Sequence, residues 1–151
     1  MNHCNDSAKK LEIIRDLSQL LSDTYVLYVK TQNFHWNVQG ARFSQLHHLF
    51  QEQYEALSSA IDEIAERIRI LDARPPSSIG EFLELTQIQE NTKEIDATKM
   101  IDLLRIDHEL IASSLREWID RAGKLCDEGT CDLMVERLRD HEKTAWILRS
   151  H

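Results

Sequence analysis

The sequence predicts an all-α protein: a four-helix bundle with a short extra helix in the long crossover between helices 2 and 3. Three observations predict it. Four glycines and two prolines in 151 residues fall well below average usage of roughly 7% and 5%, which excludes a loop-rich sandwich or a linker-rich chain. Apolar residues recur at three- and four-residue spacing over four stretches, the pattern of an amphipathic helix. The strong breakers Gly40, Pro75-Pro76 and the turn Asp127-Glu128-Gly129-Thr130 fall between those stretches.

The first helix spans Ser7 to about Asn37, with Leu11, Ile14, Leu17, Leu21, Tyr25 and Tyr28 as its apolar side. Gly40 closes it and opens a short connection. The second starts near Ser44, whose hydroxyl suits an N-cap, and carries Leu46, Leu49, Phe50, Leu57, Ile61, Ile64, Ile68 and Leu71 to about Asp72. Arg74-Pro75-Pro76 ends it, because a proline pair cannot continue a helix. Within Ser77 to Glu90 the run IGEFLEL reads as the short crossover helix. The third long helix covers roughly Ala97 to Leu125, with Met100, Leu103, Leu104, Ile111, Leu115, Trp118 and Ile119 facing the core. Thr130 caps a fourth that runs to about Leu148.

One domain accounts for residues 1–151, with 1–8 as a short flexible tail and no internal repeat. Apolar residues make up 42% and charged residues 29%, enough for a core and a solvated surface; a chain of this size buries roughly two-thirds of its unfolded surface. Net charge is −8, from 26 acidic and 18 basic residues. That balance excludes a surface built to grip nucleic acid all over and favours one that attracts cations. Cys4, Cys126 and Cys131 form no C-x-x-C pair and read as reduced thiols, with a Cys126–Cys131 bridge as the alternative. MNHCNDSAKK has no apolar core of a signal peptide, and no apolar run approaches the ~20 residues needed to span a bilayer. The expectation is a soluble, cytoplasmic protein.

Asp62 and Glu66 lie four apart on the second helix, so their carboxylates share one face, where like charges cost a few tenths of a kcal/mol unless a cation sits between them. A solvated charged face, shared with Glu52, Glu55 and Glu63, is the alternative reading. His35 closes the first helix in QNFHWNVQG and His47 opens the second in LHHLF. At 100° per residue, His47, Gln51, Asp62 and Glu66 fall within a sector of roughly 100°. Along the axis His47 and Asp62 are about 22 Å apart, too far to share an ion within one chain. Two antiparallel copies of the helix, crossing near residues 56–57, would set His47 opposite Glu66 and Gln51 opposite Asp62, giving two equivalent sites. No E-x-x-H and no H-E-x-x-H occurs in the chain, which argues against an intrachain di-iron or zincin site. His48, His108, His141 and His151 read as surface histidines.

FHWNVQG, LHHLFQEQYEAL and AIDEIAERIRIL, with the spacing between them, SIGEFLEL and the terminal LRDHEKTAWILRSH, resemble the Dps family. These are the DNA-binding proteins from starved cells, the miniferritins of the ferritin-like superfamily. The resemblance covers nearly the whole chain. It implies a ferritin-like bundle, twelve copies in a hollow dodecameric shell, and ferroxidase centres at two-fold interfaces. By that resemblance His35 and His47 come from one subunit and Asp62 and Glu66 from its partner. The activity implied is ferroxidase: Fe(II) is oxidised, preferentially by hydrogen peroxide, and stored as Fe(III) inside the shell, which protects against oxidative stress. Carboxylate and imidazole ligands suit Fe(II) and also Zn(II) or Mn(II).

One position departs from the family pattern. Gln51 stands where a carboxylate is usual, so a second iron should bind more weakly, or through water or Glu52. Trp36, next to His35, reads as a filler of core or interface, or in the family's terms as a trap for one-electron oxidants. Asp127, Glu128 and Asp132 read as helix-capping residues or as an acidic three-fold pore. Family members that bind DNA often do so through a Lys-rich tail; here Lys9 and Lys10 are offset by Asp6, and the acidic shell would repel phosphate. Weak or absent DNA binding is expected, with nucleoid association left open. The alternative function is a DNA-protecting structural shell with a weakened metal site.

Overall fold

Residues 7–151 are described by a computed structural model of the chain; Cys4 and Asp6 lie outside the described residues. Five helices follow one another: α1 Ser7–Asn37, α2 Phe43–Ile70, α3 Ile79–Leu85, α4 Ala97–Lys124 and α5 Glu128–Arg149. No strand occurs among the described residues. Helix α1 begins at Ser7, where the periodicity starts it, so the tail expected over 1–8 does not include Ser7 and Ala8.

The periodic stripes become the core. Leu17, Leu20, Leu27 and Phe34 of α1 meet Leu46, Phe50, Ile64 and Ile68 of α2, all at 0% exposure, while Leu104, Ile111 and Leu115 of α4 meet Met134 and Leu148 of α5. Burying each such side chain contributes about 1.5–3 kcal/mol. Leu11 is an exception: at 65% exposed it lies outside the core that its spacing suggested. The chain pairs α1 with α2 and α4 with α5, and lays α3 against α1. A buried ion pair, Lys30 Nζ to Asp107 at 2.7 Å, ties α1 to α4.

The helix ends depart from the sequence reading in instructive ways. No side chain caps α2; its N-cap is Arg42, and Ser44 lies one residue inside the helix. The turn before it depends on Gly40 at φ +108°, a conformation that glycine adopts without a Cβ penalty. Helix α2 stops at Ile70, ahead of the prolines. Asp72 takes a left-handed φ of 66°, and its N–H and that of Ala73 donate to the carbonyls of Arg69 and Ile68, which is a Schellman closure. Helix α4 ends the same way at Cys126, φ 57°, with Asp127 N–H donating to Ala122 O and Cys126 N–H to Gly123 O. The reversal is therefore centred on Cys126, while Gly129 and Thr130 already belong to α5. Asp127, rather than Thr130, caps α5, accepting from Thr130 N at 3.0 Å.

Asp23 fixes the crossover. It is 0% exposed, and its carboxylate accepts from Thr86 Oγ1 (2.8 Å), Gln87 N (2.8 Å) and Gln87 Nε2 (2.9 Å). Those three bonds compensate the burial of a charge that would otherwise be costly, and they hold the chain after α3 against α1. Ser78 caps α3, and the Phe82 ring stacks on Tyr25 with centroids 4.4 Å apart.

Candidate metal centre

His35 sits in the last turn of α1 and His47 in the first turn of α2, so the Gly40 connection folds them onto each other. Their rings stack with centroids 3.8 Å apart and planes 15° from parallel. His35 Nδ1 lies 2.7 Å from His47 O, and His47 Nδ1 lies 2.7 Å from His35 O. A carbonyl can only accept, so each Nδ1 carries the proton and donates it. His35 O is one of the carbonyls left without a partner at the end of α1, and the His47 ring satisfies it. The consequence is chemical. Each Nδ1–H is committed to a carbonyl, so Nε2 is the atom through which either ring could meet a metal. Neither Nε2 has a hydrogen-bond partner among the described residues, and neither is sealed from solvent. An imidazole oriented by its second nitrogen onto a backbone carbonyl is the usual arrangement of a metal-binding histidine. Phe43 lies against the His47 ring at 5.1 Å, and Tyr54 meets His35 edge-on at 5.2 Å.

Asp62 and Glu66 stand at the other end of α2, both exposed. Neither carboxylate has an ion-pair or hydrogen-bond partner among the described residues, although Arg67 lies next to Glu66. Arg67 is engaged elsewhere, through Nη2 to Asp127 at 2.8 Å and Nε to Thr130 Oγ1 at 3.1 Å. The structure thus joins the two histidines to each other and leaves the two carboxylates four to five turns further along α2. Within one chain, no three His, Cys, Asp or Glu side chains among the described residues converge on a point.

Gln51 lies one turn after His47 and donates through Nε2 to Glu55 Oε1 at 2.9 Å, leaving its carbonyl oxygen as the only donor atom it could offer a cation. Trp36 is 66% exposed, so it fills no part of the core of one chain. Asp127 has both oxygens committed, one to Arg67 and the α5 N-terminus, the other to Thr130 Oγ1 at 2.6 Å; these bonds hold its carboxyl below the usual range despite burial. That is the capping role. Asp132 is exposed. Cys126 and Cys131 are free thiols, with no bridge between them.

Two histidines overturn the surface reading. His108 is 2% exposed and His141 0%, and their Nδ1 atoms lie 2.8 Å apart. Arg137 Nη2, which can only donate, faces His141 Nε2 at 3.4 Å. The order follows: Arg137 donates to His141, His141 Nδ1–H donates to His108, and His108 carries its proton on Nε2. Burial, helped by the Arg137 charge, pushes the His108 pKa down to about 3. His141 is driven well below its usual value by burial, then by His108 and Arg137. A single sequence holds no signal for this pair, whose members are 33 residues apart on different helices.

The ferritin-like domain family model matches residues 14–151. The DNA protection during starvation protein 2 of Bacillus anthracis is 36% identical over 92% of this chain and 95% of its own length. The chain belongs to the Dps branch of the ferritin-like family. An uncharacterized low temperature-induced protein of Nostoc is 42% identical over 91% of this chain and 78% of its own. Among solved structures, the Dps protein of Vibrio cholerae aligns with a TM-score of 0.92 and 36% identity, covering 96% of this chain and 91% of that one. It is described as a member of a broad superfamily of ferritin-like diiron-carboxylate proteins. The Dps protein of Bacillus brevis aligns with a TM-score of 0.94 and 31% identity over 97% and 98%. These Dps relatives share the all-α bundle with its short crossover helix. No helix among the described residues is long and apolar enough to cross a membrane.

Proposed function

We propose that this Dps-family protein is a ferroxidase and iron store whose active sites are shared between subunits. The observation that carries the reading is the His35–His47 pair: two imidazoles whose Nδ1–H groups are committed to carbonyls, with His47 on the same helix as two exposed carboxylates that have no partner among the described residues. Antiparallel packing of α2 on its two-fold mate about residues 56–57 would lay the His end of one subunit on the carboxylate end of the other. Exposed Ser58, on that face near the crossing, leaves room for close approach. The substrate is Fe(II). Asp62 and Glu66 hold the hard cation and favour the ferric product by their charge, while His35 and His47 fix geometry. The oxidant is hydrogen peroxide, which takes two electrons per molecule. Zn(II) and Mn(II) would compete for the same donors.

The assembly is a homo-oligomer, a dodecamer in the family's pattern, holding Fe(III) in its cavity in the cytoplasm. Consuming peroxide and Fe(II) together protects DNA without touching it, and a chain of −8 repels phosphate, so direct DNA binding is weak or absent. The test is stopped-flow oxidation of Fe(II) by peroxide. The Asp62→Ala/Glu66→Ala variant loses the fast phase while its assembly persists; undiminished fast oxidation would overturn the assignment.

A further inference from the structure

The seam between α2 and α5 holds a cavity of about 260 Å³, lined by none of His35, His47, Asp62 and Glu66. Gln53 of α2, His108 of α4, and Arg137 and His141 of α5 supply its polar lining. Gln53 is 8% exposed, Arg137 6% and His108 2%. Gln53 Nε2, Gln53 Oε1, His108 Nε2 and Arg137 Nε are sealed from solvent and have no hydrogen-bond partner among the described residues. Polar atoms left unpaired by burial are costly and rare. Four of them on the residues around one cavity point to a shared partner.

The chemistry of those atoms specifies the partner. The order of protons along Arg137, His141 and His108 leaves His108 Nε2 as an N–H. Arg137 Nε and Gln53 Nε2 are N–H groups by nature, and Gln53 Oε1 alone accepts. The guanidinium has one carboxylate partner, Asp140 at 2.9 Å, whose side chain is 56% exposed. Burial pushes the Arg137 pKa down, the sign of a cation short of compensating charge. A metal cation has no use for N–H donors, and water brings no charge. A small anion answers all three donors, and Gln53 Oε1 requires that it also carry a proton. Lys143 and Glu52 bring opposite charges to the rest of the lining, so selection falls to the buried groups.

We propose that this cavity binds a small, partly protonated oxyanion, inorganic phosphate. His108 Nε2, Arg137 Nε and Gln53 Nε2 donate to its oxygens, and its hydroxyl donates to Gln53 Oε1. The last torsion of a glutamine side chain is soft, so the Gln53 amide turns to bring both of its atoms onto the ligand. Bound there, the anion ties α2 to α4 and α5 across the seam where the two helix pairs meet. The site needs no iron and stands apart from the ferroxidase reading.

The assembled protein, freed of iron so that no ferric mineral takes up phosphate, is titrated calorimetrically with inorganic phosphate at neutral pH and fixed ionic strength. One phosphate per chain is expected to bind saturably, and sulfate, which carries no proton, competes roughly tenfold less well. Gln53→Leu keeps the size and charge of the side chain and weakens binding by roughly tenfold or more. Asp140→Asn removes the competing carboxylate and tightens binding several-fold, which a merely structural role for these residues would not produce. Should the leucine variant fail to assemble, Gln53→Glu tests the same position by charge and abolishes binding. The absence of saturable binding to the wild type overturns the proposal. So does phosphate binding unchanged by substitution of Gln53, or sulfate binding as tightly as phosphate.

Discussion

Acid will weaken this fold through the buried His108–His141 pair, in a window set by their shifted pKa values. The unfolded chain protonates each histidine near 6.5, whereas folded His108 resists protonation down to about 3. A folded pKa below the unfolded one means that stability is intact above about 6.5 and lost as pH falls toward 3. From His108 alone the loss is at most about 5 kcal/mol, comparable with the whole stability of many domains. Asp16 works in the opposite direction: burial raises its pKa to about 6, so the folded state gains from its protonation as pH falls. The wild-type curve therefore mixes two signs, and a difference measurement separates them. His108→Phe/His141→Leu removes both partners of the bond, a change that is often close to neutral, and leaves Asp16 untouched. Urea midpoints at fixed protein concentration should show the variant gaining on the wild type by at least about 3 kcal/mol, the His108 share, between neutral pH and about pH 4. A difference that stays flat across that range would refute the burial argument.

Cys126→Gly relieves a left-handed residue at the α4 end and should stabilise by about 1 kcal/mol, read as a raised melting temperature. Asp23→Ala strands the Thr86 and Gln87 donors; a loss of about 3 kcal/mol, with earlier proteolytic cleavage between α3 and α4, is expected. Gln51→Asp restores a carboxylate beside His47. Anaerobic titration should then give a second Fe(II) per site, and an unchanged stoichiometry would remove Gln51 from the account.

The long helices were legible because burial on one side writes a period into the sequence. Ile61, Ile64 and Ile68 mark the inner face of α2 whatever lies across from it. Asp62 and Glu66 stood out against that stripe for the same reason, while His35 and His47 were paired through the family resemblance of the segments FHWNVQG and LHHLFQEQYEAL. The helix ends were harder to read: Asp72 and Cys126 take left-handed conformations that glycine usually fills, and no residue type announces them. Asp23, His108 and His141 carry no local signal, because what defines them is a partner many residues away on another element. The stacking and reciprocal hydrogen bonds of His35 and His47 likewise follow only from the folded connection.

A complementation experiment tests most directly whether the site is split between subunits. His35→Ala/His47→Ala and Asp62→Ala/Glu66→Ala chains are each inactive as homo-oligomers on this account. Unfolded together and reassembled, half of the two-fold pairs contain one chain of each kind. Each such pair has one site with all four donors and one with none. Fast Fe(II) oxidation should then return to about a quarter of the wild-type amplitude. A mixture as inactive as its two components would contradict the shared site.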